Sequence, residues 1–312
     1  MAEAYNTLDG LIQLNDKNLA DLNVTDLLED SPLLSVMHAQ VASNGTEHKY
    51  LKQTTASSAA FRAALDGIVK TPSADTLVTD TLAILDASFD TDVAMADAFK
   101  GGRDAWLQRE LIRSLKQAFF VAEKQVIYGT GNDASGFAGL HDNAQLDAIA
   151  DAMVIECAAP GSTGSSQTSV YILRHGAEDC SFILGNNGRI VVEDEPTIIQ
   201  KAGASTASSY YPALFVPVTG YCGFQIGGAY SAARICNIET KLTDDDIYNG
   251  LALFPSGRQP NAIVMNRAAL ALLRASRTAT NPSGDPAPRP KDLDGIPIIV
   301  TDAVVSTEAV ET

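Results

Sequence analysis

The sequence has no apolar run approaching the roughly 20 residues that a membrane-spanning helix needs, although 46% of its 312 residues are hydrophobic. A secretory signal is also lacking, because residues 1–10 carry Glu3 and Asp9 without a basic start or an apolar middle. Chains near this size bury a substantial core and usually divide into more than one domain. We therefore expect a cytoplasmic protein of several domains with no membrane partner.

Cysteine is scarce, with four residues spread over the second half of the chain: Cys157, Cys180, Cys222 and Cys236. None of them belongs to a Cys-x-x-Cys pair, the spacing typical of zinc and redox sites. The pattern favours buried, reduced thiols of a cytoplasmic protein. Disulfides or a metal site are the alternatives.

Basic side chains are also few, 22 against 38 acidic ones, which gives a formal net charge of −16. Proteins that bind nucleic acid tightly do so by neutralising phosphates with Lys and Arg. The charge balance therefore argues against tight DNA binding. It suits a surface that lies near nucleic acid without adhering to it, and acidic solubility alone is an equally good explanation.

Patterns for catalysis are missing too. The four histidines are scattered, and none has a His or Glu neighbour at metal-binding spacing (His38, His48, His141 and His175). The sequence contains no Gly-x-Ser-x-Gly motif and no cysteine at a plausible helix start. The glycines at 129–131 follow a predicted helix, whereas phosphate-binding loops follow a strand.

Two acidic clusters, residues 193–195 and 244–246, could hold a cation. Asp244 lies at the start of a predicted helix, where capping and the helix dipole explain a carboxylate more simply. We predict that the chain has no catalytic, cofactor-binding or metal-binding residues and is not an enzyme.

The strongest pattern in the chain is a long helix at residues 103–128. Its apolar side chains recur every three or four residues over about seven turns, at Leu107, Leu111, Leu115, Phe119, Ala122 and Val126. At about 1.5 Å per residue the helix is about 39 Å long. It stops at Gly129, because glycine readily takes the left-handed conformation that closes a helix. We interpret it as the spine on which the rest is mounted.

The first 92 residues look unable to fold alone. Residues 1–46, with a short helix predicted at 8–14 and a new element after Pro32, have little contiguous apolar surface. Residues 47–92 have the pattern of a long two-stranded excursion, with strands at 47–54 and 75–85. An isolated hairpin is marginal in water, so packing on another copy of the protein explains this arm best. A loose surface insertion is the alternative.

The rest of the chain mixes helices and strands. The patterns predict a helix at 146–154, strands at 168–176 and 180–185 meeting at a turn at 176–179, and two long strands around Thr219 and Gly220 within 210–239. They then predict a helix at 244–253, a strand running into a helix capped by Asn266, a proline-rich loop at 281–290, and a strand opened by Pro297. The predicted fold class is α+β.

The order of these elements resembles the major capsid proteins of tailed bacteriophages, which have the Hong Kong 97-like fold. The segments "SPLLSVM", "TSVYILRHG", "ARICNIE" and "GIPIIVTDAV" also resemble a branch of phage capsid proteins of about this length. The likeness covers nearly the whole chain. It implies an N-terminal arm, an extended β-hairpin loop, a long spine helix, a peripheral-domain sheet and an axial α/β domain.

The resemblance also implies domain limits. Residues 1–46 would be the N-terminal arm, 47–92 the extended loop over a neighbouring subunit, 93–240 the peripheral domain with its spine helix at 103–128, and 241–312 the axial-type domain. The axial domain would meet its copies at five- and six-fold axes. In the best-known member the axial elements directly follow the spine, whereas here predicted strands at 168–238 intervene.

The implied function is a major capsid protein that self-assembles into hexamers and pentamers of an icosahedral shell around phage double-stranded DNA. Its partners would be its own copies, a portal, and scaffolding or decoration proteins, with assembly in the bacterial host cytoplasm and DNA enclosed without sequence-specific binding. An encapsulin-like compartment and a cytoplasmic α/β enzyme without a recognisable active site are the alternatives.

Some members of this family cross-link a lysine to an asparagine between subunits. Lys49, Lys52 and Lys70 lie in the corresponding region. No partner asparagine or catalytic acid can be assigned to them, so we predict no covalent chemistry.

Overall fold

A computed structural model describes residue 8 and residues 13–14, 27–157, 166–193, 195–203, 209–277 and 290–311. The α-helices in these ranges are α1 (Pro32–Val36), α2 (Val93–Ala98), α3 (Gly102–Tyr128), α4 (Asp244–Ala252) and α5 (Arg267–Ser276). Short 3-10 turns occur at Gly129–Gly131, Leu140–Asp142 and Asn186–Gly188. The described helices include none that is both long enough and apolar enough to span a membrane.

The strands are, in chain order, β1 (Gln13–Leu14), β2 (Ala39–Val41), β3 (Glu47–Thr55), β4 (Ala74–Thr81), β5 (Ala83–Asp86), β6 (Phe89–Asp92), β7 (Val154–Glu156), β8 (Thr168–Leu173), β9 (Cys180–Leu184), β10 (Arg189–Val192), β11 (Thr197–Ala202), β12 (Tyr210–Val216), β13 (Val218–Ile226), β14 (Ala232–Ile238), β15 (Ala262–Met265), β16 (Asp292–Leu293) and β17 (Ile296–Val300). Mixed helix and sheet confirms the predicted α+β class.

The predicted spine is helix α3, which begins one residue earlier than expected, at Gly102. It buries the predicted stripe, including Leu111, Leu115, Phe119, Ala122 and Val126. The helix ends where Gly129 takes a φ of 51° and donates its backbone N–H to the carbonyl of Gln125. The periodic apolar face and the closing glycine therefore set this element as predicted.

Two six-stranded sheets make up most of the body. The central sheet has the order β1-β10-β13-β9-β2, and β5 also pairs with β13. The C-terminal sheet has the order β16-β17-β15-β8-β14-β7. One buried cluster of apolar side chains includes Phe119 of the spine, Phe182 of the central sheet and Ile263 of the C-terminal sheet. The three layers therefore share a core.

The central sheet continues into a narrower blade of three strands with the order β11-β12-β6. Along the chain, β11 follows β10, β12 precedes β13, and β6 follows β5. The blade strands therefore lie in the same order as the three central strands β10, β13 and β5, which are side by side. Pro217 separates β12 from β13, and it lacks the backbone N–H that a continuous ladder would use. The blade is thus an extension of the central sheet.

The predicted excursion is a two-stranded sheet formed by β3 and β4 with the connecting residues 56–73, called the hairpin below. The prediction that residues 75–85 form one return strand was wrong. Pairing with β3 ends at Thr81, and residues 83–86 instead pair with β13 of the central sheet. The switch occurs at Leu82, whose side chain is buried and whose N–H donates to the carbonyl of Thr46.

Two predicted helices are not borne out. Residues 143–153 form turns, and Val154–Glu156 is a strand parallel to β14. The Asp151 carboxylate accepts a hydrogen bond from the N–H of Ala148, which stabilises a turn where the helix was predicted. Of the helix predicted at 8–14, Leu8 is helical, whereas Gln13–Leu14 is a strand paired with Arg189 and Ile190. The remaining residues of that prediction lie outside the described ranges.

Residues 210–239 contain three strands, not two, and Thr219 and Gly220 lie inside β13. The strands on either side of residues 176–179 exist as predicted, but β8 and β9 belong to different sheets. Short apolar runs predict strands well, whereas the partner of each strand depends on long-range packing that local composition does not encode.

The C-terminal predictions fare better. Helices α4 and α5 and strands β15 and β17 lie at the expected positions, and the Asn266 side chain caps α5 by accepting from the N–H of Ala269. The cap of α4 is Thr243, one residue before the predicted Asp244, in a reciprocal arrangement with Asp246. The proline-rich loop lies outside the described residues apart from Pro290.

The C-terminal sheet contains strands from both sides of the predicted domain boundary at residue 240. Strand β15 pairs with β8, so that Ile263 lies opposite Ile172. The domain limits remain a prediction.

Candidate assembly surface

The base of the hairpin is fixed to the central sheet by buried polar contacts. His48 Nε2 lies 2.9 Å from Gln225 Oε1, and His48 Nδ1 accepts the N–H of Ser43 at 3.3 Å. Because Nδ1 accepts, Nε2 carries the proton and donates to Gln225. The Tyr50 hydroxyl donates to the carbonyl of Ile226 at 3.4 Å. These contacts fix the first residues of β3, and with them the direction in which the hairpin projects.

The outer part of the hairpin has no cover from its own chain. Phe61 and Leu65 are fully exposed, and Val69 is 89% exposed. Closer to the base, the cross-strand pair Leu51 and Leu77 is also exposed. Exposed large apolar side chains in such a group mark an interaction surface. The hairpin is therefore shaped to be covered by another molecule.

A second exposed apolar surface lies on the blade and beside it. Ile198 of β11 and Tyr210 of β12 are exposed, as are Ile84 of β5 and Met95 of α2. Tyr210 pairs with Ala202 at the end of the blade remote from the central sheet, whereas Ile198 pairs with Leu214 near the junction with that sheet. A single subunit thus presents projecting and flat apolar regions at the same time, as expected of a protein that packs against its own copies.

The segment before the hairpin is attached to the spine by a buried carboxylate. Glu123 Oε2 accepts the N–H groups of Leu33 and Leu34 at 3.0 and 3.1 Å, at the start of α1. Its other oxygen accepts the hydroxyl of Thr301. Burial raises the pKa of Glu123 to about 7, although these three hydrogen bonds favour the charged form. One side chain of the spine therefore joins the N-terminal and C-terminal segments.

The C-terminal segment is held by a buried ion-pair network. Arg234 of β14 lies 3.3 Å from Glu308 Oε2 and 2.8 Å from Glu311 Oε1. The Tyr128 hydroxyl, at the end of the spine, donates to Glu308 Oε1 at 2.6 Å. The Arg234 side chain is 1% exposed. Removing it would therefore leave the charge of Glu308 buried without a partner.

The histidines do not form a site. His141 packs against Tyr128 and Tyr171, and burial lowers its pKa to about 3, so the ring is neutral. Burial also lowers the pKa of His38 and of His175. Within the described ranges, no group of three or more His, Cys, Asp or Glu side chains could hold a metal ion.

The predicted burial of the cysteines is found for three of the four. All four cysteines are free, and Cys180, Cys222 and Cys236 are buried. Burial raises the pKa of Cys222 to about 12 and that of Cys236 to about 11. Cys157 is half-buried, and burial, followed by the charge of Asp246, raises the pKa of its thiol to about 12. Thiols with these pKa values are poor nucleophiles at neutral pH.

The acidic cluster at 244–246 is occupied by internal contacts. Asp244 pairs with Arg277 at 3.0 Å, and Asp246 accepts the N–H of Thr243 at 2.8 Å. Of the other cluster, Glu193 and Glu195 lie in the connection between β10 and β11. Capping therefore explains the carboxylate of Asp246, whereas the carboxylate of Asp244, for which capping was predicted, is in an ion pair.

The lysines of the hairpin region do not meet in one place. Lys49 lies 3.3 Å from Glu47, its neighbour on β3. Lys52 lies on the same strand, and Lys70 is exposed in the outer part of the hairpin. That these lysines form no cross-link between subunits stays a prediction.

Two anchoring residues were not predicted from the sequence. Glu123 lies four residues after Phe119 and three before Val126, which places it on the buried stripe of the spine, so helical spacing could have identified it. Arg234 and its partners are separated by more than 70 residues, at Glu308 and Glu311. No local pattern links such residues.

The comparisons with known proteins agree with this architecture. The family model described as major capsid protein GP7 matches residues 16–311. No curated protein matches the chain. Among solved structures, a chain of bacteriophage Epsilon15 is similar with a TM-score of 0.59 and 20% identity, covering 88% of this chain and 87% of that one. The bacteriophage JBD30 capsid is similar with a TM-score of 0.51 and 10% identity, covering 93% and 95%.

The SrpI encapsulin of Synechococcus elongatus is more remote, with a TM-score of 0.45 and 11% identity over 68% of this chain and 89% of that one. The solved structures establish the Hong Kong 97-like capsid fold, and the family match covers nearly the whole chain. The chain therefore belongs to the GP7 family of major capsid proteins and is a shell protein of a bacteriophage head.

Proposed function

We propose that this capsid protein assembles into hexamers and pentamers of an icosahedral shell, and that the hairpin of each subunit packs on a neighbouring subunit. The observation that carries the proposal is the hairpin, because Phe61 and Leu65 are fully exposed at its outer end. Burying apolar surface is worth about 25 cal/mol per Å². Contacts of this kind are modest individually, and the closed symmetry of a shell repeats them in every subunit.

In this proposal each of the two large sheets belongs to a different domain, one peripheral and one axial. The peripheral part comprises the spine helix, the central sheet and the blade. The axial part comprises the C-terminal sheet with α4 and α5, which includes strands β8 and β14 from before residue 240. Strand pairing supports this division, because the ladder between β8 and β15 would otherwise join two separate domains.

The shell encloses double-stranded DNA without gripping it, and the net charge of −16 supports this part of the proposal. An acidic inner wall repels phosphates and binds them weakly at any salt concentration. An electrophoretic shift with duplex DNA tests it. Binding at moderate salt that weakens steeply as salt rises would contradict the proposal.

Catalysis is not part of the proposed function. The titratable side chains with large pKa shifts, such as Glu123 and His141, are buried in hydrogen-bonded contacts between segments. A portal and scaffolding or decoration proteins would complete the head, with assembly in the bacterial host cytoplasm before incorporation into the virion.

Size-exclusion chromatography of the purified chain, followed by negative-stain microscopy, tests the proposed assembly. We expect particles or rings much larger than one 32.9 kDa subunit. A monomer that persists at high concentration in every salt condition would contradict the proposal.

A further inference from the structure

The hairpin region divides by charge along the sequence. Residues 48–74 carry four basic side chains and one acidic one, Lys49, Lys52, Arg62 and Lys70 against Asp66. Residues 75–98 carry six acidic side chains and no basic one: Asp75, Asp80, Asp86, Asp90, Asp92 and Asp97. The connecting residues 56–73, called the outer hairpin below, hold Arg62 and Lys70 against Asp66, which gives this part a small net positive charge in an acidic protein. Lys49 and Lys52 lie on β3, nearer the base, and Lys49 pairs with Glu47.

Four of these acids lie on β5, β6 and α2 at the base of the hairpin, called the basal strip below (residues 83–98). Asp90 pairs with Lys201, and Asp97 pairs with Arg103. Asp86 accepts the N–H of Ser88 at 2.9 Å, and Asp92 caps α2 by accepting the N–H of Ala94. Asp86 and Asp92 make no ion pair with any described residue, so their charges remain open to a partner.

The basal strip also has an apolar part. Ile84 is 63% exposed and Met95 is 59% exposed. Beside Ile84, a cavity of about 80 Å³ lies between β5 and the spine, and its lining is mainly apolar, including Val121 and Phe137, with three polar residues, Gln125, Asp133 and Ser135. Its volume suits one apolar side chain. The strip thus combines an apolar recess with negative charge, and the outer hairpin combines exposed apolar side chains with positive charge.

The two surfaces of one copy do not meet. Strand β4 ends at Thr81 and β5 begins at Ala83, so the basal strip starts where the hairpin ends. The nine residues of β3 span about 30 Å, and Phe61 and Leu65 lie beyond that length, fully exposed. Only a second copy can bring the two surfaces together. A contact of outer hairpin to basal strip is head-to-tail, and such contacts form closed rings when the rotation from one copy to the next closes.

We propose that the outer hairpin of one copy docks on the basal strip of the next copy. Arg62 and Lys70 face the carboxylates of Asp86 and Asp92, and an apolar side chain of the outer hairpin enters the recess beside Ile84. The inference rests on the proposed function as a self-assembling shell and adds the identity of the receiving surface. Charge complementarity of this kind fixes register and suppresses wrong contacts.

Charge reversal of both surfaces in the full chain tests the docking. Arg62→Glu alone and Asp86→Lys alone should each lower the yield of shells about tenfold or more, since a like-charge contact costs more than about 1.4 kcal/mol per subunit pair. The combination of Arg62→Glu and Asp86→Lys should restore most of the yield. The matched control combines Arg62→Glu with Glu178→Lys, which reverses an exposed acid outside the strip and should restore nothing.

Subunit melting temperature confirms that each variant folds, as expected for substitutions at exposed positions. Normal assembly of both single variants, or a double variant no better than the worse single one, would overturn the docking assignment. Deletion of residues 57–71 separates this failure from failure of the proposed function. If that deletion abolishes shells while the charge variants assemble normally, the hairpin is an assembly element with another receiving surface. If the deletion also assembles normally, the hairpin does not pack on a neighbour to build the shell, and both that part of the proposed function and the docking are wrong.

Discussion

At the scale of single residues, a few buried polar side chains decide how the terminal segments attach to the body. Glu123 accepts hydrogen bonds from Leu33, Leu34 and Thr301. Burial nevertheless raises its pKa from 4.5 to about 7. Between pH 4.5 and pH 7 the carboxyl of Glu123 keeps its proton in the folded subunit and loses it in the unfolded chain. The free energy of unfolding is therefore highest below pH 4.5 and falls as the pH rises towards 7.

Glu123→Gln should remove this pH dependence. The amide keeps an acceptor for the N–H groups of α1 and cannot ionise. The free energy of unfolding of the wild-type subunit relative to the variant should fall by up to about 3 kcal/mol between pH 4.5 and pH 8. Urea denaturation of unassembled subunits at several pH values measures it. Parallel pH profiles for the two proteins would contradict the assignment.

Arg234→Ala should destabilise the subunit by about 3–5 kcal/mol, because it leaves Glu308 in the protein interior without its positive partner. The matched control is Arg267→Ala, whose ion pair with Asp302 is largely exposed and should be worth less than about 1 kcal/mol. Urea midpoints of the two variants give the comparison. Equal, small losses would mean that the buried network is not an anchor.

At the scale of elements, the spine shows how far a periodic pattern determines structure. Its stripe places Leu115 in the core at 1% exposure. Leu115→Asp should prevent folding, because an unpaired buried charge costs several kcal/mol out of a total stability of about 5–15 kcal/mol. Gln117→Asp, on the exposed face of the same helix, is the control and should fold. Soluble Leu115→Asp protein that melts cooperatively would contradict the assignment of the stripe.

The elements that were predicted correctly are marked by patterns within their own residues. The spine, α4 and α5 have helical periodicity with a cap or a closing glycine, and the hairpin has alternating strand residues. The predictions failed where a local or distant contact overrides composition. Asp151 stabilises a turn inside the helix predicted at 146–154, and Leu82 enters the core and moves the chain from one sheet to another. Neither contact is visible in a single local pattern.

At the scale of the whole molecule, one subunit is incomplete. Its body shares one apolar core, whereas the hairpin and the blade expose Phe61, Leu65, Ile198 and Tyr210 to solvent. The resemblance to capsid proteins indicated this organisation before any strand pairing was known. The residues of the interfaces could not be assigned from the sequence, because exposure depends on which strands pair and where the chain changes sheet.

The central claim is that neighbouring copies cover the hairpin. Analytical ultracentrifugation of the full chain and of a variant lacking residues 57–71 tests it most directly, with circular dichroism and thermal melting as the control for folding. The described residues of this segment are almost all exposed, so its removal should leave the fold intact. We expect a folded, cooperatively melting variant that sediments as single subunits or small oligomers where the full chain forms shells. Normal shells from the variant would contradict it.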